Sequence, residues 1–185
     1  MKVLATGALM GILAVATGCS SMMDKTESAM SKMHKMELSD AQIVSVLHTA
    51  NMGEITQGQI AMQRGMHASI KAFAQKMINE HTANDQKTTA WAASAGISAQ
   101  NNDISMKLKK ESDDIVMKLN KEDAKDFDKT YIDCQVKVHK MVLKTIDDKL
   151  LPNAHSADLR NHLVATRAAV AGHLMEAEMI MKMMK

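Results

Sequence analysis

The chain has 185 residues and a formal net charge of +2, and only 2% of its residues are aromatic. So few aromatic residues argue against a β-protein, because strands favour aromatic and β-branched residues. The abundant Ala, Met, Leu, Lys and Glu are good helix formers, which predicts one all-α domain. Because both signs of charge are interspersed and nearly balanced, we expect no nucleic-acid partner.

The N-terminal segment has the pattern of a secretory signal. Lys2 precedes an apolar run over residues 3–15, and small residues lead to Cys19. The run is shorter than the roughly 20 apolar residues of a transmembrane helix. The cysteine after small residues resembles a bacterial lipobox, although Ala16 stands where lipoboxes usually carry Leu. The resemblance implies a lipoprotein signal over residues 1–18 and lipidation of Cys19; an ordinary cleaved signal is the alternative.

The predicted location follows from the residue after the lipidated cysteine. Ser20 is not the Asp that favours retention in the inner membrane, so we expect a lipoprotein of the outer membrane that faces the periplasm. Its acyl chains would bind the membrane, since each buried methylene contributes about 0.8 kcal/mol. Residues 19–38 have few bulky aliphatic side chains and are interpreted as a tether. The pattern indicates no particular protein partner.

The first two predicted helices follow the tether. Ser39 is a good N-cap, and apolar residues then recur at spacings of three and four until a break near Gly65. A second amphipathic helix follows, and Gly96 is suited to end it.

A crossover and two further long helices complete the domain. Residues 97–120 connect across the bundle and include a third, shorter helix, and Asn120 with Asp123 resembles a capping pair that opens the next long helix. Pro152 and the following Asn end that helix, and the last helix begins near Ser156. Four long helices with a helical crossover between the second and third predict a ferritin-like four-helix bundle over residues 39–185.

Each apolar stripe is interrupted near its middle by a polar residue: Glu54, His81, Gln135 with His139, and His173. At 1.5 Å per residue, these positions fall within roughly two turns of one height in the bundle. One carboxylate and three imidazoles could therefore bind a divalent metal such as zinc, iron, copper or manganese. In this interpretation Gln135 supports the site from the second shell of ligands.

The same residues could instead satisfy one another. A Glu54–His81 hydrogen bond and a Tyr131–His173 hydrogen bond would make a polar core that fixes the helix register and binds no ligand. The residue pattern alone favours this structural interpretation, and an envelope protein that interacts with others would need nothing more. The metal site remains the leading functional hypothesis.

Catalysis is the third alternative, and we do not expect an enzyme. The sequence has no phosphate loop, no Cys-x-x-Cys, no His-Glu-x-x-His and no Gly-x-Ser-x-Gly. A di-iron site requires a Glu-x-x-His motif on each of two helices. Here Glu80 and His81 are adjacent and diverge by about 100°. A di-metal oxidase or peroxide-handling enzyme is therefore the least favoured class.

The 19 methionines and Cys134 allow softer metal chemistry. Thioethers select Cu(I), but methionine also fills cores that lack branched residues, which is the favoured interpretation. With Cys19 acylated, Cys134 has no intrachain partner and is expected to be a small buried side chain. The methionine groups lie in the tether (Met30, Met33, Met36, beside His34) and at the C-terminus (Met175, Met179, Met181, Met183, Met184).

Three motifs resemble the bacterial family catalogued as domain of unknown function 4142. Members are predicted secreted or outer-membrane proteins, and the resemblance implies a ferritin-like bundle without an established activity. It covers roughly residues 39–180, with Glu80-His81 in place of the usual Asp-His and without a Pro that often precedes the last His. The motifs are Asn51-x-Gly53-Glu54 with Ile70-Lys71-x-Phe73-Ala74-x-x-Met77-Ile78-x-Glu80-His81, then Phe127-Asp128-x-x-Tyr131-x-x-x-Gln135-Val136-x-x-His139, and His173-Leu174-x-x-Ala177. Glu54, His81, His139 and His173 match positions of the family motifs.

Overall fold

The computed structural model describes residues 37–184, and in this range the chain forms five helices and no strand. The predicted all-α fold class is therefore confirmed. The signal, Cys19 and the tether methionines lie outside the described residues. The helices are α1 (Asp40–Arg64), α2 (Ala68–Ser94), α3 (Asp103–Lys121), α4 (Ala124–Thr145) and α5 (Ala157–Met183).

Local sequence explains most of the helix ends. Ser39 forms a capping box with Gln42 at the start of α1, and the Ser156 side chain caps α5. After α2, Gly96 adopts a φ of 66°, the left-handed region that favours glycine. The amide of Ile97 then donates to the carbonyl of Ala92, as in a Schellman motif.

The predicted capping pair of Asn120 and Asp123 is wrong. Asn120 lies inside α3, and Asp123 is the N-cap of α4 without a side-chain cap hydrogen bond. The turn is held from elsewhere, because the guanidinium of Arg64 donates to backbone carbonyls of this segment and Thr130 donates to Glu122. A tertiary contact thus replaces the local cap.

The chain stays helical beyond the end of α4. The chain continues through a π-helical turn over Ile146–Leu150 and one more turn over Leu151–Asn153 before it breaks. Pro152 lies in that last turn and cannot donate a backbone hydrogen bond that would continue the helix. The predicted break after Pro152 is therefore observed, one π turn beyond the regular helix.

Two apolar clusters fill the bundle, one at each end. The first contains Phe73, Phe127 and Tyr131, and the second contains Leu47 and Leu163. Along α1 and α5 the chain passes from the second cluster to the first, and along α2 and α4 from the first to the second. Since α3 also runs from the second cluster to the first, it returns the chain so that α2 and α4 are parallel, as in ferritin-like connectivity. The polar residues at the middle of each long helix lie between the clusters.

Candidate metal centre

Three buried imidazoles meet between the apolar clusters. His81 comes from α2, His139 from α4 and His173 from α5, and their exposed fractions are 6%, 1% and 2%. The ring centroids are 6.0 Å apart for His81 and His139, 5.3 Å for His81 and His173, and 5.5 Å for His139 and His173. A ring nitrogen of each residue lies within 4.8 Å of one from each of the others.

One nitrogen of each ring contacts an oxygen that can only accept a hydrogen bond. His81 Nδ1 lies 3.0 Å from Asn51 Oδ1, and His173 Nε2 lies 2.7 Å from Glu80 Oε2. His139 Nδ1 lies 2.9 Å from the backbone carbonyl of Gln135, one helical turn earlier. In the neutral rings these three nitrogens must carry the hydrogens, which sets the tautomer of every imidazole.

The other ring nitrogens have no hydrogen-bond partner among the described residues. They are His81 Nε2, His139 Nε2 and His173 Nδ1, and all three are buried. Because the tautomers put the hydrogens on the opposite nitrogens, each free nitrogen carries a lone pair. Three lone pairs in one buried cluster repel one another and attract a cation.

An amide network holds His81 in this orientation. Asn51 on α1 donates through Nδ2 to Asn84 Oδ1 at 3.0 Å, and Asn84 donates to Thr166 Oγ1 on α5 at 2.7 Å. Since each amide nitrogen has its own acceptor, the Asn51 oxygen stays turned toward His81. Such outer hydrogen bonds fix ligand orientation in metal sites.

Burial favours the neutral form of His81 and His173. The pKa of His81 is well below its ordinary value, first because of burial and then because charges on His139 and His173 would oppose a further positive charge. Burial also lowers the pKa of His173, although the hydrogen bond to Glu80 opposes that shift. Metal ions bind neutral imidazole, so these residues need not lose a proton at neutral pH.

Glu54 lies beside the cluster and outside the group of three ligand atoms. Its Oε1 is 4.0 Å from His139 Nδ1, the nitrogen that faces the Gln135 carbonyl. Both carboxylate oxygens are buried without a hydrogen-bond partner among residues 37–184. Burial raises the pKa of Glu54, and the neighbouring His139 only partly opposes this. The structure thus brings three of the four predicted ligands together.

A protein-family model matches most of this chain. The family model described as Domain of unknown function (DUF4142) matches residues 25–180. The chain belongs to the DUF4142 family. The resemblance drawn from the sequence motifs is therefore confirmed. Searches of curated proteins and of solved structures found no match. Among the described helices, none has the length and apolar character that a membrane crossing requires.

The hydrogen bonds expected for a self-satisfied polar core are absent from the described part of this DUF4142 domain. His81 bonds to Asn51 instead of Glu54, and His173 bonds to Glu80 instead of Tyr131. The Tyr131 hydroxyl is buried without a partner. The other unpartnered buried atoms are the free histidine nitrogens and oxygens of Glu54 and Gln135, so acceptors outnumber donors among them.

Gln135 bonds to His139 through its backbone and not through its side chain. Its side-chain amide donates to Gln57 Oε1 at 3.0 Å, and the bond to His139 comes from its backbone carbonyl. Gln135 thus orients His139 through an atom that every residue type possesses.

A di-iron carboxylate site does not fit these residues. Glu80 is 45% exposed and engages His173 from outside the cluster, with Lys76 4.0 Å away. Glu54 is the buried glutamate of the layer, and it is not among the converging atoms. The donor set is three nitrogens, whereas the di-iron pattern needs carboxylates from all four helices.

The softer candidate ligands lie elsewhere in the DUF4142 domain. Cys134 is the small buried side chain that the sequence predicted, and burial raises the pKa of its thiol. Of the C-terminal methionines, Met181 and Met184 pack against the core. The remaining three are exposed: Met175, Met179 and Met183.

Sequence reasoning did not assign roles to Asn51, Asn84 and Glu80. Asn51 lies three residues before Glu54, on the same face of α1, so helical spacing could have placed it near the layer. Asn84 likewise lies three residues from His81, on the same face of α2. Glu80 could not be found in this way, because it reaches the neighbouring helix from an exposed position.

Proposed function

We propose that this protein is a metal-binding bundle of the bacterial cell envelope, which holds one divalent transition-metal ion through His81, His139 and His173. The observation that carries the proposal is the set of three buried lone pairs. One nitrogen of each ring is free, and the opposite nitrogen of the same ring donates to an oxygen of another residue. Outer hydrogen bonds of this kind accompany nearly all metal-ligating histidines.

The ligand types favour zinc, with copper as the main competitor. Imidazole suits both ions, and three histidines with one open position are a known arrangement for zinc. One ring nitrogen of each histidine lies within 4.8 Å of one from each of the others, so an ion among these three nitrogens would lie no more than about 2.8 Å from each. Side-chain movements of less than about 1 Å would then reach zinc–nitrogen bonds of about 2.0–2.1 Å.

Metal titration of the full chain tests the proposal. The chain is stripped with a chelator and titrated with zinc against a chromophoric competitor. We expect one zinc per chain for wild type and for the exposed control His155→Ala, and none for His139→Ala. His139→Gln keeps a polar side chain of similar size. A loss of zinc binding in this variant as well would therefore not reflect misfolding alone.

The competing proposal is a structural module whose free nitrogens bond to water. It predicts that wild type, His139→Ala and His155→Ala bind equally little zinc and copper. That result would contradict the metal site and leave an envelope scaffold with a polar core.

Cell location is a separate part of the proposal. The apolar run after Lys2 and the small residues before Cys19 support a lipid anchor, and Ser20 after the cysteine supports the outer membrane, facing the periplasm, as its location. We expect Cys19→Ser to move the protein from the membrane fraction to the soluble fraction. A wild-type mass without acyl groups would contradict the anchor.

A further inference from the structure

A cavity of about 220 Å³ opens beside the three histidines. It lies between α1, α2 and α5, and His81 and His173 form part of its wall. Both side chains are more than nine-tenths buried, and each has one ring nitrogen without a partner among residues 37–184. The cavity therefore connects ligand-bearing residues with the outside of the bundle.

Small side chains keep this passage open. Ala83 on α2 and Ala165 and Ala169 on α5 line the cavity, and all three are exposed. A larger side chain at these positions would fill the space between the two helices. The volume is below the 300–1,000 Å³ typical of pockets for drug-sized ligands, so it suits a molecule of a few atoms.

The polar part of the wall carries groups of both charges. Lys87 contributes an ammonium group, Glu80 contributes a carboxylate that is bonded to His173, and amide and hydroxyl groups come from Asn51, Asn84 and Thr166. The attraction for an anion therefore comes from the metal itself. A divalent ion bound to three neutral imidazoles keeps its full charge of +2, which attracts an anion to an open coordination position.

From this juxtaposition we infer that the cavity delivers a small monovalent anion, or hydroxide, to an exchangeable position on the metal. The inference rests on the proposed function, because without a metal the anion has no partner. It adds that one coordination position of the metal is open, whereas protein ligands occupy every position of a structural metal site.

Cobalt(II) tests both the metal site and its open coordination position, because its visible spectrum reports the number and type of ligands. The full chain is loaded with cobalt(II) and titrated with azide, with bicarbonate and formate as competitors. We expect a saturable spectral change with azide. Ala169→Leu should weaken azide binding by at least about tenfold, which corresponds to 1.4 kcal/mol, without changing cobalt affinity.

Ala168→Leu is the matched control, since Ala168 is an exposed neighbour on α5 that does not line the cavity. It should bind azide like wild type. Lys87→Gln offers an independent variant that removes charge without adding bulk, and it should weaken azide without affecting cobalt.

The outcomes separate the two proposals. No cobalt in wild type contradicts the metal site itself. Cobalt binding without any response to azide overturns only the open position. An azide affinity that is the same in wild type, Ala169→Leu and Lys87→Gln overturns the cavity as the route of entry.

Discussion

Two regions of the bundle join histidine to a buried polar group, and they differ in their balance of donors and acceptors. At the turn between α1 and α2, the carboxylate of Asp128 accepts from the amides of Met66 and His67 and lies 2.6 Å from His67 Nδ1. Here the acid is buried, and the imidazole is 67% exposed. The three donors at this turn, the amides of Met66 and His67 and the His67 ring, all reach Asp128, so this carboxylate is satisfied without a ligand.

The centre of the bundle shows the opposite balance. The three buried histidines each use one nitrogen as a donor and keep one as an acceptor, and no donor among residues 37–184 bonds to these acceptors. A buried polar group without a partner costs about 1–3 kcal/mol. The contrast teaches that a satisfied cluster stabilises the fold, whereas a surplus of lone pairs indicates a cation site.

The largest expected effect is at the satisfied turn. Asp128→Ala should lower the free energy of unfolding by about 3 kcal/mol, because hydrogen bonds to a charged group contribute roughly 1.5–3 kcal/mol each. Urea unfolding of the metal-free chain measures this. A loss below about 1 kcal/mol would contradict the structural role of the turn.

Zinc should act only at the centre. At a free zinc concentration 100 times its dissociation constant, the free energy of unfolding should rise by about 2.7 kcal/mol. The same increment should persist in Asp128→Ala and vanish in His139→Ala. Equal increments in these two variants would mean that zinc binds somewhere else.

Glu54 should make the free energy of unfolding depend on pH. Its folded pKa is raised, so its stabilising contribution is fully present below the unfolded value of 4.5 and is lost as pH rises through the folded pKa. Within this window the metal-free wild type should lose up to about 1.4 kcal/mol per pH unit relative to Glu54→Gln. Urea unfolding from pH 4 to pH 8, with exposed Glu111→Gln as the control, measures the difference. Parallel profiles for wild type and Glu54→Gln would argue that Glu54 is not perturbed.

The smallest effect is expected from the exposed histidine of the turn. His67→Ala should cost less than about 1 kcal/mol, because exposed ion pairs contribute little and Asp128 keeps its backbone donors. Zinc stoichiometry should be unchanged. A loss of zinc in this variant would show that the turn also binds metal.

Much of the fold was accessible from local sequence. Ser39, Gly96 and Ser156 act on backbone groups within a few residues, so their effects can be predicted without knowing the tertiary structure. The apolar stripe of α5 was equally clear, because one face of a helix recurs every three to four residues. The failed cap at Asn120 has the converse reason, since Arg64 reaches that turn from a distant part of the chain.

The site was only partly accessible. The sequence identified which polar residues interrupt the stripes, and three of them, His81, His139 and His173, converge. It could not tell that the Glu54 carboxylate would stop beside His139 Nδ1, because that depends on side-chain direction and helix rotation.

Periodicity and capping residues determined by themselves that this chain forms long amphipathic helices with polar residues at mid-height. These signals are local, and the hydrophobic effect that drives burial is not directional. The tertiary structure alone decided which nitrogen of His81 and of His173 is free. That choice depends on acceptors such as Asn51 and Glu80, which lie on neighbouring helices, and hydrogen bonds form only at short range and in defined directions.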